Sequence, residues 1–282
     1  MSKRLPHIIS NNKIIKNAGV YAIIAPFFLL FFIFYVLPFF MSITTAFTNY
    51  NMATETLHFS WFGNFRTLIN YSDFKEALFN TLGIAVLTLV TGFFLTVLFA
   101  WLIGFMPAFF RYFFIFALFI PFFTSNLPIT WRFIFDEFIS VEITPFLKIL
   151  FIKIWLSFGL GFIALVMGMR RIPRELFDAA KLDGTGNRVR ELFYIILPAI
   201  KPQLLFMVFM QIILAFGLND ADLSAGGYGE IFIFETLPAQ IYKYGAEYFE
   251  MGRASAASVF LFAFAGFVYF EIRYFFGRWK TE

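Results

Sequence analysis

Nucleophiles, metal ligands and phosphate loops are the first chemistries to test against this sequence, and each fails. There is no cysteine, which removes thiol nucleophiles, disulfides and zinc–cysteine sites. The two histidines, His7 and His58, lie outside the long apolar runs, so no histidine metal set is expected. No carboxylate pair and no nucleophile with an adjacent base sits within those runs. The phosphate-binding pattern Gly-x-x-x-x-Gly-Lys-Ser/Thr is absent, and Gly184-Thr185-Gly186 lacks both the lysine and the helix that should follow it. The expectation is a chain with no catalytic residue, no metal site and no cofactor of its own.

The residues that do carry a pattern fall in the polar stretch from Arg170 to Asn187. Pro173 suits a helix start, where a missing N–H has no helical partner to lose. Glu175 follows in the first turn, where the helix dipole favours an anion. Gly184 and Gly186 stop the helix, and Asn187 is placed to cap a second one running to Leu197, ended by Pro198. In the first helix Leu176, Ala179 and Ala180 share a side by i, i+3, i+4 spacing. A helix this short is not stable alone. Two readings stand: a docking surface seated in a partner's groove, or a solvated linker of two fraying helices.

The elements that must position this stretch follow from composition. The chain is 60% hydrophobic, 23% aromatic and 14% charged, with 47 phenylalanines in 282 residues. A soluble domain carries about 25% charged residues, so the apolar excess calls for lipid. A spanning helix needs about 20 mainly apolar residues. Six stretches qualify: 20–43, 77–105, 109–131, 149–169, 202–218 and 254–275. The first is longer than a secretory-signal core and is read as a retained anchor. No ten-residue alternation suggests a barrel. The expected fold is an all-α integral membrane protein of six transmembrane helices with one cytoplasmic helical loop. Residues 1–18 form an N-terminal segment, 19–276 one six-helix membrane domain, and 277–282 a tail.

Orientation follows from lysine and arginine. With the N-terminus in the cytoplasm, most of the 22 basic residues fall on the inner side, among them Arg170, Arg171, Arg174, Lys181, Arg188 and Arg190. Basic residues are retained there, so both termini are expected inside. Lys148 and Lys153 count among the outer residues.

The run Glu175-Leu176-Phe177-Asp178-Ala179-Ala180-Lys181-Leu182-Asp183-Gly184, with Leu197-Pro198 downstream, resembles the EAA loop of binding-protein-dependent ATP-binding-cassette importer permeases. Residues 171–198 form that loop, and the surrounding chain looks like the maltose-type sugar permease group. Similar pieces are Tyr35-Val36-Leu37-Pro38, Phe62-Gly63-Asn64-Phe65, Phe79-Asn80-Thr81-Leu82, Ile120-Pro121-Phe122 and Tyr248-Phe249-Glu250-Met251-Gly252-Arg253. The sequence departs from the family pattern in the short outer segment Asp136–Pro145 and in three further places. Asp178 stands where glutamate is usual, the stretch from Gly184 to Pro198 is one residue longer, and residues 106–111 lack the usual basic cluster.

The resemblance implies a coupling element built from Asp178, Ala179, Ala180 and Gly184, flanked by Glu175 and Asp183. It implies two ATP-binding subunits carrying ATP and magnesium, a second permease subunit, and an extracytoplasmic solute-binding protein. It also implies an inner-membrane location and import of a carbohydrate or similar small polar solute. Candidate pathway residues are Asn80, Ser125, Asn126, Gln211 and Asn219. All but Asn219 have a structural alternative: Asn80 as a cap, Ser125-Asn126 at a break before Pro128, Gln211 as an interhelical hydrogen-bonding group. The loop 219–253, with Asp220, Asp222, Glu230 and Gly226-Gly227-Tyr228-Gly229, either meets the binding protein or is solvated. The run Ala254–Ser258 is read as close helix packing. The rival class is a stand-alone secondary transporter. Against proton coupling, the ionisable residues lie near span ends or in loops.

Overall fold

A computed structural model describes residues 12–124, 145–182, 187–217 and 235–278. Within them the chain is helical, and only two isolated antiparallel bridges occur, Thr48 with Phe59 and Asn51 with Thr56. Lipid leaves backbone groups no solvent partner, so each spanning segment must bond internally.

The first apolar span, Tyr21–Ala46, is 26 residues long. It is built from α1 (Asn12–Phe31), a π turn (Phe32–Val36) and α2 (Leu37–Ala46). Pro38 has no N–H to give the helix, and the π turn upstream absorbs the mismatch by widening the ladder. The same device recurs at Leu192–Ile196 before Pro198. Every side chain from residue 21 to 35 is exposed, whereas α2 packs against the last helix.

α3 (Gly63–Asn70) is short, and α4 (Ser72–Gly104) has 33 residues. At 1.5 Å per residue α4 is about 50 Å long, well beyond a hydrocarbon core of about 30 Å. α5 (Ala108–Thr124) opens the expected third span, whose remainder lies outside the described residues. α6 (Pro145–Leu156) and α7 (Leu160–Arg170) make up the fourth, broken at residues 157–159. α8 (Arg174–Leu182) is the polar loop helix. Then come α9 (Arg188–Glu191), the second π turn, α10 (Leu197–Ala199) and α11 (Lys201–Phe216). α12 (Leu237–Tyr242) continues into a π turn, Lys243–Glu247, and α13 (Met251–Arg278) ends the description.

Among the described residues four helices are long and apolar enough to cross a membrane: Tyr21–Ala46, Ser72–Gly104, Leu150–Arg170 and Met251–Arg278. A fifth span is a bent pair, Arg188–Ala199 and Lys201–Phe216, meeting at 81°. The helix expected to stop at Pro198 instead runs through it to Ala199, because the π turn has already freed the carbonyl the ring would strike.

The centre of the bundle is where α4, α7 and α11 cross. Phe162, Leu165, Leu204 and Met207 are fully buried there. Helices in lipid gain little from hydrophobic burial and depend on close contact instead. Gly161 provides it: a Cβ there would stand 2.7 Å from the Met207 Cα. Along α13, Ala254, Ala256 and Ala257 are buried, the close packing that small residues permit.

Candidate functional site

The loop helix α8 has no buried residue. Glu175, Leu176, Asp178 and Ala179 are exposed, and Leu182 is 90% exposed. Phe177 turns inward against the core, with Ala180 half-buried on the same side. The expected grouping of Leu176, Ala179 and Ala180 is therefore split. Phe177 is the larger apolar group and takes the bundle side, which rotates Ala180 to the edge. Leu176 and Ala179 are left as an uncovered apolar strip flanked by two carboxylates. Asp178 accepts from Lys181 at 3.0 Å in an exposed ion pair, a kind that adds little stability. Asp183 and Gly184 lie outside the described residues.

Downstream, the Asn187 side chain accepts from the Val189 N–H at 3.0 Å, the cap its position suggested. The Arg188 guanidinium lies 4.5 Å from the centre of the Phe105 ring. These contacts tie the loop to the same end of the bundle as the close of α4.

The expected pathway residues separate. Gln211 is 1% exposed and donates from Nε2 to Thr96 Oγ1 at 3.3 Å. Thr88, Gly92 and Thr96 stack on one face of α4 by i, i+4 spacing, and a Cβ at Gly92 would meet both Ser157 and Gln211. This is a polar seam enclosed within one subunit. Asn80 donates from Nδ2 to the Glu235 carbonyl at 3.0 Å, and its neighbour Thr81 accepts from the Leu237 N–H at 2.8 Å. Together they pin the start of α12, which Thr236 caps. Ser125, Asn126, Asn219 and residues 219–234 of the loop 219–253 lie outside the described residues.

Two features escaped the sequence reading. Lys153, counted as an outer charge, is 2% exposed inside α6 and donates from Nζ to Leu214 O at 2.9 Å and Ala215 O at 3.0 Å. It caps the last carbonyls of α11 from a neighbouring helix. The available signal was its place one turn inside an apolar run. The second feature joins pieces far apart in sequence. Asn64 donates to Ala46 O and Thr48 O at 2.9 and 2.7 Å. Gly252 lies so near that a Cβ would be 2.0 Å from Thr48 O.

A bundle of apolar spans with an exposed acidic and apolar helix at one end is the architecture of a membrane-embedded subunit. The chain belongs to the family of binding-protein-dependent transport system inner membrane components, whose model matches residues 100–281. It is 27% identical to the arabinooligosaccharides transport system permease protein of Bacillus subtilis strain 168, covering 87% of this chain and 84% of that one. Its fold is similar to a bacterial ABC transporter involved in the import of the acidic polysaccharide alginate. That match has a TM-score of 0.68 and 19% identity, and covers 95% of this chain and 98% of that one. A second structure of a bacterial alginate ABC transporter, in complex with an alginate pentasaccharide-bound periplasmic protein, aligns with a TM-score of 0.66 and 18% identity over 92% and 94% of the two chains.

The protein is thus a multi-pass, non-catalytic permease subunit of an ATP-binding-cassette importer. That family leaves no place for a secondary transporter working alone.

Proposed function

We propose that this subunit forms half of the translocation path for an oligosaccharide, driven by ATPase subunits that seize α8 in the cytoplasm. The carrying observation is the uncovered face of that helix, Leu176 and Ala179 between Glu175 and Asp178, on a helix whose Phe177 packs against the bundle. An apolar strip rimmed by carboxylates suits a groove with basic walls. Two ATP-binding subunits, holding ATP and magnesium, close on each other and carry the docked helices with them. The 81° bend between Arg188–Ala199 and α11 gives that motion a rigid lever into the spans.

The remaining assignments follow from this arrangement. Both termini lie in the cytoplasm, by the distribution of basic residues. A second permease subunit completes the path, and an extracytoplasmic binding protein delivers the sugar. The carbohydrate class is supported by the arabinooligosaccharide relative. Asp183 and Gly184 complete the docking element. Ser125, Asn126 and Asn219 stand as contacts to the solute, while Asn80 and Gln211 act on the path through helix packing.

Because the chain has no cysteine, Ala179→Cys introduces its only thiol. In the assembled importer it should form a disulfide with a cysteine placed in the ATPase groove. Absence of any cross-link across a scan of groove positions sinks the docking assignment. Labelling of the same thiol from the external side of intact cells sinks the orientation.

A further inference from the structure

At the end of the bundle next to α8, the close of α4, the start of α5, the close of α7 and the helix 188–199 enclose a cavity of about 360 Å³. Its wall includes Trp101, Arg111, Arg170, Lys181 and Glu191, with Phe177 of the loop helix. Three basic side chains face one carboxylate, and Arg188 stands over Phe105, another wall residue. Lys181 is shared with Asp178, so the arginines carry most of the uncompensated charge.

Two hydrogen-bond donors in this wall are unspent. Arg111 donates from Nη2 to the Met106 carbonyl at 2.8 Å, but its Nε–H has no acceptor among the described residues, and neither has the Trp101 indole N–H. Both atoms are buried. A buried donor left unpaired is destabilising, and buried polar groups are rarely left so. Both side chains border the cavity.

We infer that this cavity binds a phosphate group, held by Arg111 and Trp101 between the spans and the loop helix. Phosphate matches the donors. Guanidinium offers a planar fork to its oxygens, and an indole N–H suits a third oxygen. Two sources supply such a group. The cavity lies beside the close of α4 and α7 and the start of α5, so one source is an anionic phospholipid of the surrounding membrane. A soluble phosphate reaches it from the adjoining aqueous side. In either case the ligand would bridge Phe177 and Lys181 of α8 to α4 and α5. The site rests on the cavity and its donors, not on the docking of α8 to an ATPase.

The test uses the assembled importer in nanodiscs. One arm compares phosphatidylcholine alone with phosphatidylcholine plus phosphatidylglycerol, and reads retained lipid by native mass spectrometry together with the melting temperature. The other adds inorganic phosphate to pure phosphatidylcholine discs. Retention of phosphatidylglycerol with a raised melting temperature identifies a lipid site. A response to inorganic phosphate alone identifies a soluble ligand. In the responding arm Arg111→Gln should weaken binding at least about tenfold, the change that the loss of a hydrogen bond to a charged group brings. Arg273→Gln, on the exposed surface of α13, should not weaken it. If Arg111→Gln prevents assembly, Trp101→Phe deletes one N–H and keeps the ring, and it should weaken the same response. No response in either arm overturns the proposal, as does an equal loss in Arg273→Gln.

Discussion

Lys153 donates to the Leu214 carbonyl at 2.9 Å, and through that bond the fourth span holds the end of the fifth. The lysine is 2% exposed, so the contact is far less screened than a surface pair. Lys153→Met keeps the volume and removes the charge and its hydrogen bonds, leaving the Leu214 and Ala215 carbonyls short of donors. Each loss costs about 1–3 kcal/mol. The melting temperature of the purified importer should fall clearly, while Lys153→Arg should recover part of the loss. An unchanged melting temperature in Lys153→Met removes the cross-helix cap.

Gly252 and Gly266 make a matched pair on α13. A Cβ at Gly252 would lie 2.0 Å from the Thr48 carbonyl oxygen, whereas one at Gly266 has nothing within 4 Å. Gly252→Ala must push apart the turn that Asn64 latches, and it should reduce the yield of assembled complex severely. Gly266→Ala should be neutral or stabilising, by up to about 1 kcal/mol from helix propensity. Size-exclusion yield of the two variants, expressed side by side, checks the contrast.

Lys243 sits outside the spans, in the π turn after α12, paired with Glu235. Its hydrogen bond to that carboxylate holds its pKa above the ordinary 10.5, with burial working in the opposite direction. A raised lysine contributes stability that is fully present below the unfolded value and lost as pH rises through the folded one. The pair should therefore be insensitive to pH through the neutral range. The difference in melting temperature between the parent and Lys243→Met should stay constant up to about pH 10.5 and shrink only above it. A difference that already changes near neutral pH would contradict this pairing.

Much of this architecture is written in the chain as length and polarity. Apolar runs marked the spans, because lipid admits only long internally bonded helices. Pro173 and Asn187 marked the boundaries of the loop helices through local rules. What stayed hidden depends on which distant groups meet. Asn64 and Gly252 are separated by most of the chain, and their need for each other arises only when α2 packs against α13. Lys153 read as a solvent charge because nothing local reveals the helix end it serves. The split of Ala180 from Leu176 and Ala179 has the same origin, since Phe177 decides the rotation of α8 and its seat is tertiary.

Gln211 is buried in the seam between α4 and α11. Its Nε2 has a 3.3 Å partner in Thr96, but its Oε1 has none among the described residues. Gln211→Leu removes a weak bond together with an unpaired carbonyl and should leave the melting temperature nearly unchanged. Gln211→Ala opens a cavity beside Gly92 and should cost about 2 kcal/mol. Neither variant should alter the ranking of sugars taken up. A changed ranking in proteoliposome uptake would return Gln211 to the solute path.

The two faces of α8 make different predictions, and this separates coupling from folding. Ala179 is exposed and Phe177 is packed inward. Ala179→Trp adds bulk at an exposed position, where no described group of this subunit stands, so insertion and melting temperature should hold. ATP-driven uptake should nevertheless fall at least about tenfold, because a bulky ring in a close-packed groove costs about 1–3 kcal/mol. Phe177→Ala should instead lower stability, by about 3 kcal/mol or less given partial burial. Gly184→Asp and deletion of residues 178–184 should resemble Ala179→Trp, abolishing uptake in a chain that still inserts. Normal uptake by Ala179→Trp or by the deletion would show that the force enters the bundle elsewhere. Equal destabilisation by Ala179→Trp and Phe177→Ala would show that α8 is a structural element with no outward partner.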